Sequence, residues 1–220
     1  MISCGGNAPH ERRVAHINTT SGQVTILPEL LKGRGNAGVA CAGNCLFVFG
    51  GFTPNKEELN SGEKYDLQGR QWSPIRSCMS TARHQFTPFP YQRSIYLAGG
   101  WTTAVVEAFD IDTEIFTTLP LVLPKAFPTV CLVYNDELVA FQEKRVIRWQ
   151  LGCNTGECQV SVIHQMVKDS NVSVQILGTK AYWTQESLTE CEIHEADLLQ
   201  WEVSKATGMQ TGQGKNCPVS

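Results

Sequence analysis

The chain has 220 residues, of which 42% are hydrophobic and 18% are charged, and its formal net charge is −3 at pH 7. This length and composition indicate a globular domain with a sizeable core, and no apolar run reaches the roughly 18 residues that a membrane helix needs. The slightly acidic balance lacks the basic surface that neutralises phosphates, so we expect neither nucleic-acid nor membrane binding.

The beginning of the chain and the cysteines bear on the cellular compartment. The first six residues, MISCGG, contain neither the basic nor the apolar segment of a signal peptide, so we expect a cytoplasmic protein. The nine cysteines are scattered, and the favoured interpretation is reduced thiols that fill the core. Two close pairs, Cys41 with Cys45 and Cys153 with Cys158, are alternatives for small disulfide rings. Neither pair has a matching second half, so we predict no zinc site and no cofactor.

A glycine pair follows a short apolar run at three places along the chain. The pairs Gly5-Gly6, Gly50-Gly51 and Gly99-Gly100 start 45 and 49 residues apart. The runs LFVF and IYLA before the second and third pairs are typical of strands that are buried on both faces. Glycine at the end of such a strand permits a turn or the close approach of another segment. The spacing predicts an internal repeat of about 45 residues.

The second unit, residues 34–75, shows the repeat most clearly. Gly43-Asn44 separates two apolar stretches in VACAGNCLFVFGG, which predicts a hairpin. The stretch KYDLQGRQW places Tyr65 seven residues before Trp72 with a polar turn between them. This pattern predicts a second hairpin, so each unit is expected to contain four short strands.

The remaining units repeat these features with decreasing fidelity. The third unit, residues 83–119, sets Phe109 seven residues before Phe116. Later, LVAFQ (138–142) and AYWTQ (181–185) keep the apolar strand without the glycines, and the spacing of seven recurs from His194 to Trp201. A basic residue lies sixteen positions before the first glycine or its counterpart in four units, as Arg34, Arg83, Lys125 and Lys168.

Strand count and period together predict a β-propeller. About 19 short strands, in units of four and without long helical periodicity, fit blades that stack because no single four-stranded sheet buries both of its faces. The first unit starts on its second strand, at Ile2. We predict a propeller domain over residues 1–203 and a polar, disordered tail over residues 204–220.

The glycine pair, the aromatic residue in the third strand and the aromatic residue seven positions later resemble the kelch repeat. The match to WD40 repeats is weaker, since neither a Gly-His nor a Trp-Asp pair recurs. The resemblance implies a β-propeller, usually of six blades, whose ring is closed by strands from both chain ends. Because the first unit lacks its first strand, we expect about five four-stranded blades in an incomplete or imperfectly closed ring. A fragment of a longer protein is the alternative.

Loops between blades are the expected binding surface, because propellers bind through such loops. The loop over residues 52–63 is the best single candidate, with Phe52, Asn55 and Lys56 as predicted contact residues. Trp101 follows the third glycine pair and is either exposed or packed between blades, and packing is favoured.

The regular basic residues have two interpretations. They either form a basic ring for an acidic peptide or, as we favour, bond to carbonyl or carboxylate groups of a neighbouring blade. In kelch adaptors the residue two positions later commonly contacts the peptide, which implies a role for Asn36, Gln85, Phe127 and Ser170. The absence of arginine from that position disfavours an acidic peptide. His84 matches a common kelch position and is expected to be structural.

The sequence therefore predicts a non-catalytic module that binds a protein or peptide. The predicted contact residues are Asn36, Phe52, Asn55, Lys56, Gln85, Trp101 and Phe127. The five histidines fall at unrelated positions of the repeat, so neither a metal centre nor catalytic residues are predicted. Two alternatives stay open, because the resemblance extends to propeller enzymes such as copper radical oxidases and sugar mutarotases, and to actin-associated scaffolds. A role as substrate adaptor in ubiquitin ligation would need a further partner or chain segment.

Overall fold

The computed structural model describes residues 2–6, 10–123, 126, 129–134, 136–142, 145–151, 172–177, 180–186, 191–197 and 203–205. Within them the chain forms nineteen strands and no helix. The strands are β1 (Ile2–Cys4), β2 (Val14–Ile17), β3 (Val24–Leu27), β4 (Gly38–Ala42), β5 (Cys45–Phe49), β6 (Gly62–Asp66), β7 (Gln71–Pro74), β8 (Phe86–Thr87), β9 (Phe89–Tyr91), β10 (Ser94–Ala98), β11 (Val105–Asp110), β12 (Phe116–Val122), β13 (Thr129–Tyr134), β14 (Glu137–Gln142), β15 (Arg145–Gln150), β16 (Val172–Leu177), β17 (Lys180–Glu186), β18 (Cys191–Asp197) and β19 (Val203–Lys205).

The described strands are arranged in five sheets. The first has the order β1-β2-β3, the second β4-β5-β6-β7, the third β12-β11-β10-β9, the fourth β15-β14-β13-β8 and the fifth β16-β17-β18-β19. Neighbouring strands are antiparallel, except that β8 pairs in parallel with β13. The prediction of an all-β chain with antiparallel four-stranded sheets is therefore confirmed, and this architecture fits a propeller type of fold.

The second sheet buries both of its faces, as the apolar run of β5 predicts. Leu46 and Val48 pack towards the first sheet, in a core that includes Val14. Phe47 and Phe49 point the other way, and their rings lie 5.6 and 5.2 Å from that of Phe109 in the third sheet. Complete burial of such a side chain contributes roughly 2 kcal/mol, so the stacking of successive sheets stabilises β5 on both faces.

The same stacking continues to the fourth sheet. Ala98 and Val106 of the third sheet share a core with Leu138 and Trp149 of the fourth. Each described core therefore lies between two consecutive sheets, from the first sheet to the fourth.

The spacing of seven residues between aromatic side chains has a direct structural cause. Tyr65 and Trp72 lie opposite each other across β6 and β7, with ring centroids 5.1 Å apart. Phe109 and Phe116 are partners in the same way across β11 and β12, at 4.8 Å. The spacing places both residues of each hairpin on one face of the sheet, where such cross-strand pairs stabilise it.

The glycine pair permits close contact between consecutive units. Gly50 has φ +61°, and a side chain on it would overlap the carbonyl oxygen of Arg83 at the start of the third unit. The N–H of Gly51 donates to that same oxygen at 2.9 Å. Gly5 has φ +71° and meets the carbonyl oxygen of Arg34 in the same way. Only glycine adopts this left-handed backbone without strain and also needs no room for a side chain.

Several predictions about the less regular units can be compared with the structure. The first sheet has three described strands, and its β1 ends at the first glycine pair as predicted. The apolar stretches at 138–142 and 181–185 lie in β14 and β17. The predicted features at Lys125, Phe127, Lys168, Ser170, Trp201 and the Cys153–Cys158 loop lie outside the described residues.

Candidate functional site

A buried arginine begins the second unit, directly before β4. The side chain of Arg34 is 2% exposed, and its Nε donates to Oε1 of Glu63 at 2.9 Å. Its Nη1 donates to the carbonyl oxygens of Gly50 and Ser61, each at 2.9 Å. All of these partners belong to the second unit itself. For Arg34, the prediction that the regular basic side chains bond to a neighbouring blade is therefore wrong. Its backbone carbonyl contacts Gly5 of the preceding unit, and its side chain bonds within its own unit.

The third unit repeats this arrangement with Arg83. The guanidinium is fully buried and forms an ion pair with Glu107, whose side chain is 1% exposed. Its Nη1 donates to the carbonyl oxygens of Gly99 at 3.1 Å and Val105 at 3.0 Å. Burial lowers the pKa of Arg83, and the charge of Glu107 opposes that shift. Since both arginines are enclosed and paired, neither can belong to a basic ring on the surface.

Two residues after each buried arginine, the chain comes to the surface. Asn36 and Gln85 are both exposed, and their φ angles of 52° and 54° are in the left-handed region. The N–H of Gln85 donates to the carbonyl oxygen of Asn36 at 2.9 Å. The two predicted contact residues are therefore neighbours in space, although 49 positions separate them in the sequence.

Phe52 is fixed beside them by backbone pairing. Its N–H and carbonyl form two hydrogen bonds with Gly35, at 2.9 and 2.8 Å. A side chain on Gly35 would collide with the phenyl ring, so the glycine before Asn36 provides the space into which Phe52 fits. Phe52 also forms a bridge with Glu58, which closes the intervening segment into a tight loop.

That loop carries the two other residues predicted from this region. Thr53 is buried and organises the turn, because its hydroxyl accepts from the N–H of Glu57 at 3.2 Å. Asn55 is exposed at the tip. Lys56 is exposed as well, and its Nζ lies 4.9 Å from the centre of the Phe52 ring. The loop is therefore an ordered turn with an ammonium group over an aromatic face.

His84 connects this loop to Trp101. The imidazole lies edge-on to the Phe52 ring at 5.6 Å and at 6.4 Å from the Trp101 ring. The N–H of Trp101 donates to the carbonyl oxygen of His84 at 3.0 Å. Sequence analysis favours a packed Trp101, and this expectation is wrong, because the residue is 54% exposed. A large apolar ring exposed to this extent at the end of a sheet is a candidate contact for a partner.

Glu58 supplies the negative charge of this region. Its Oε1 lies 2.9 Å from Nδ1 of His84. Its Oε2 accepts from the hydroxyl of Thr102 at 2.8 Å. The carboxylate is 27% exposed. We call the side chains of Phe52, Lys56, Glu58, His84 and Trp101 the aromatic surface.

The structure thus gathers most of the predicted contact residues at one end of the second and third sheets. Phe52, Lys56 and Trp101 are part of the aromatic surface, Asn36 and Gln85 adjoin it, and Asn55 lies on the adjacent loop tip. Glu58 belongs to the loop that was predicted as a contact surface, but it was not among the predicted contact residues. His84 was predicted to be structural, and the signal for its position beside this surface was its place directly after Arg83.

Five cysteines are free thiols: Cys4, Cys41, Cys45, Cys78 and Cys131. In the hairpin of β4 and β5, Cys41 is opposite Leu46 and Ala42 is opposite Cys45, so the two cysteines point to opposite faces. A ring between Cys41 and Cys45 is therefore excluded. Burial raises the pKa of Cys4 and of Cys131 to about 12, which keeps both thiols protonated at neutral pH.

The described residues form neither a metal-binding cluster nor a membrane-spanning helix. Among them, no group of three or more His, Cys, Asp or Glu side chains is arranged to hold a metal ion. No helix in this part of the chain has the length and apolar character to cross a membrane.

Comparison with known families gives one result. Residues 33–79 match the family model described as the Kelch motif. This match confirms the resemblance to kelch repeats, and it covers the second sheet together with Arg34, Phe52 and the buried Glu63. No curated protein matches the chain significantly.

Proposed function

Because the chain contains a kelch motif, we propose that it is a kelch-type β-propeller that works as a non-catalytic protein-interaction module. It presents the aromatic surface, together with Asn36 and Gln85, to a protein or an extended peptide. A partner would be recognised by shape and hydrogen bonding across consecutive sheets, without chemical conversion.

The observation that carries this proposal is the convergence of exposed side chains from two units on one end of the sheets. Asn36 belongs to the second unit and Gln85 to the third, yet the N–H of Gln85 reaches the carbonyl of Asn36 at 2.9 Å. Trp101 adds an exposed ring to the same region. Carboxamides provide both donors and acceptors, which suits the N–H and C=O groups of an extended peptide.

This surface also has a rigid base. The exposed residue in each unit lies two positions after a buried arginine, which is Arg34 paired with Glu63 or Arg83 paired with Glu107. Contact residues held on such a base lose little conformational entropy when a partner binds. This arrangement supports a preformed binding surface.

We further propose that the repeats form about five blades in an incomplete or imperfectly closed ring. Two features support this: consecutive sheets stack face to face, and β8 pairs in parallel with β13 of the following unit. The first sheet, in which three strands are described, also supports an incomplete ring. A cytoplasmic location stays a prediction.

The test is an affinity purification of the tagged full chain from its native cells, followed by mass spectrometry and by binding assays with the purified candidate partner. A double variant, Asn36→Ala with Gln85→Ala, removes both carboxamides at the proposed surface. The matched control is Asn44→Ala with Gln68→Ala, which removes the same exposed side-chain types from turns of the second sheet's hairpins.

We expect the first variant to weaken binding of the purified partner by about tenfold or more, which is the effect of losing typical interface contacts. The control variant should bind within twofold of the original chain. Equal binding by all three proteins would refute the assigned surface, and the absence of any partner would refute the proposed function.

A further inference from the structure

The aromatic surface is a row of groups in a definite order. Lys56, Phe52, His84 and Trp101 follow one another, with separations of 4.9, 5.6 and 6.4 Å between successive groups. The row begins with an ammonium group over an aromatic face, a favourable electrostatic contact. Its fourth member is the indole of Trp101, which is 54% exposed. The row therefore contains a cation over the Phe52 ring and, at Trp101, a large ring that is more than half exposed.

A negative charge lies beside the exposed end. Thr102, the residue after Trp101, donates its hydroxyl to Oε2 of Glu58 at 2.8 Å. This bond joins the carboxylate to the residue that follows Trp101, and the Glu58 side chain remains 27% exposed. Glu57 is exposed on the adjoining loop and adds to the local negative charge.

Oε1 of Glu58 faces Nδ1 of His84 at 2.9 Å, and the described arginine and lysine side chains of this region are engaged elsewhere. Arg34 and Arg83 are buried in ion pairs with their own glutamates, with side-chain exposures of 2% and 0%. The Lys56 ammonium group lies over Phe52, at the opposite end of the row. Neither buried arginine can therefore neutralise Glu58.

We infer that the exposed face of Trp101 is the seat for an arginine side chain of the bound peptide, with Glu58 as its carboxylate partner. The inference rests on the proposed function, since it specifies which residue the peptide must carry. A guanidinium group is planar and weakly hydrated, so it can stack on an indole while its edge donates to a carboxylate. Trp is the best of the aromatic side chains for this contact.

The charges in this region favour a cation over the other side chains that could cover an indole. An acidic side chain would approach Glu57 and Glu58 and be repelled. A neutral ring could stack on Trp101 but would make no use of the carboxylate held by Thr102. A lysine would satisfy the charge without the planar fork, so we expect it to bind more weakly than arginine.

A pair of blocked pentapeptides tests the inference on the full chain, Ac-Gly-Ser-Arg-Ser-Gly-amide and the same peptide with citrulline in place of arginine. Citrulline keeps the shape of arginine and removes the charge. Binding is followed by the indole N–H signal of Trp101 in two-dimensional NMR. Five tryptophans are present in the chain, and the variant Trp101→Phe identifies the signal that is lost.

We expect the arginine peptide to shift this signal in a saturable way and the citrulline peptide to bind at least about fivefold more weakly. Glu58→Gln should weaken arginine binding by about threefold or more and leave citrulline binding unchanged. The matched control, Glu57→Gln, removes an exposed charge from the neighbouring position and should change affinity by less than twofold. Equal affinity for both peptides, or equal effects of the two glutamate variants, would overturn the inference.

A second measurement separates this inference from the proposed function. The purified partner is tested against Trp101→Leu, Glu58→Gln and the double variant at Asn36 and Gln85. If the double variant loses the partner and the other two do not, the interaction module stands and the arginine seat is wrong. If the arginine peptide binds at Trp101 and no protein partner exists, the seat is real and the proposed function is wrong.

Discussion

The second and third units each bury an ion pair between an arginine and a glutamate. The hydrogen-bonding groups of the two pairs are satisfied to different extents. Arg34 uses Nε, Nη1 and Nη2 in hydrogen bonds, and Glu63 also accepts the N–H groups of Leu31 and Lys32 at 2.6 and 3.0 Å. Arg83 has no described partner for Nε, and its Nη1 is shared among three carbonyl oxygens. The repeat therefore determines which groups are buried together, while the segment before each arginine determines how completely they are satisfied.

The largest expected effect comes from removing one partner of each pair. Glu63→Ala leaves a buried guanidinium and two backbone N–H groups without their acceptor, so we expect a loss of about 4 kcal/mol in the free energy of unfolding. Glu107→Ala leaves Arg83 and the N–H of Ser80 unpaired, and we expect a smaller loss of about 3 kcal/mol. Urea unfolding of both variants measures the difference.

An apolar replacement of the whole pair is the control for this prediction. Arg34→Met combined with Glu63→Leu removes both charges, so it should recover most of the stability lost in Glu63→Ala. A loss below about 1 kcal/mol in Glu63→Ala, or a larger loss in Glu107→Ala, would contradict the idea that the second unit depends more on its pair.

The junctions between units give the next largest effect. Gly50→Ala places a methyl group against the Arg83 carbonyl in a left-handed backbone, and Gly5→Ala does the same against Arg34. We expect each to lose about 3 kcal/mol of stability, from overlap and backbone strain together. The control is Gly43→Ala, at φ +56° with open space around it. Strain alone should cost that variant about 1 kcal/mol.

Thermal unfolding of the three glycine variants separates overlap from strain. Equal losses of stability in Gly5→Ala and Gly50→Ala would mean that the contact between the first and second units is as firm as the contact between the second and third units. A loss in Gly5→Ala no larger than that in Gly43→Ala would show that the contact between the first and second units yields easily.

Much of the repeat is predictable because its causes are local. The glycine pairs, the Gly43-Asn44 hairpin and the aromatic pairs each depend on a few consecutive residues, so their patterns survive in the sequence. The glutamate partners were not predicted. Glu63 lies 29 residues after Arg34 and Glu107 lies 24 residues after Arg83. The two separations differ because the loop between arginine and glutamate differs in length. Both glutamates lie two residues before an aromatic residue of the third strand, Tyr65 or Phe109. This shared position becomes visible only when the two units are aligned on the aromatic residue.

The parallel pairing of β8 with β13 also could not be predicted from the sequence. Pro88 interrupts the segment between β8 and β9, because proline has no N–H to donate and is confined to the ends or edges of strands. The sequence contains this break, but the strand that pairs with the separated piece lies more than 40 residues away. Trp101 was misjudged for a related reason: a tryptophan in a loop is buried or exposed according to distant neighbours.

The smallest expected effect concerns the exposed carboxamide residues of the second and third units. Asn36 and Gln85 both have a left-handed backbone, which asparagine tolerates far better than glutamine. Asn36→Gln should therefore destabilise the chain by about 0.5 kcal/mol, and Gln85→Asn should stabilise it by a similar amount. Both variants keep a carboxamide, so partner binding should change much less than it does after substitution by alanine. If binding stays nearly constant in both variants, the two positions serve one surface through the same chemical group, the carboxamide. If stability falls in Asn36→Gln and rises in Gln85→Asn, the third unit carries backbone strain that the second unit avoids.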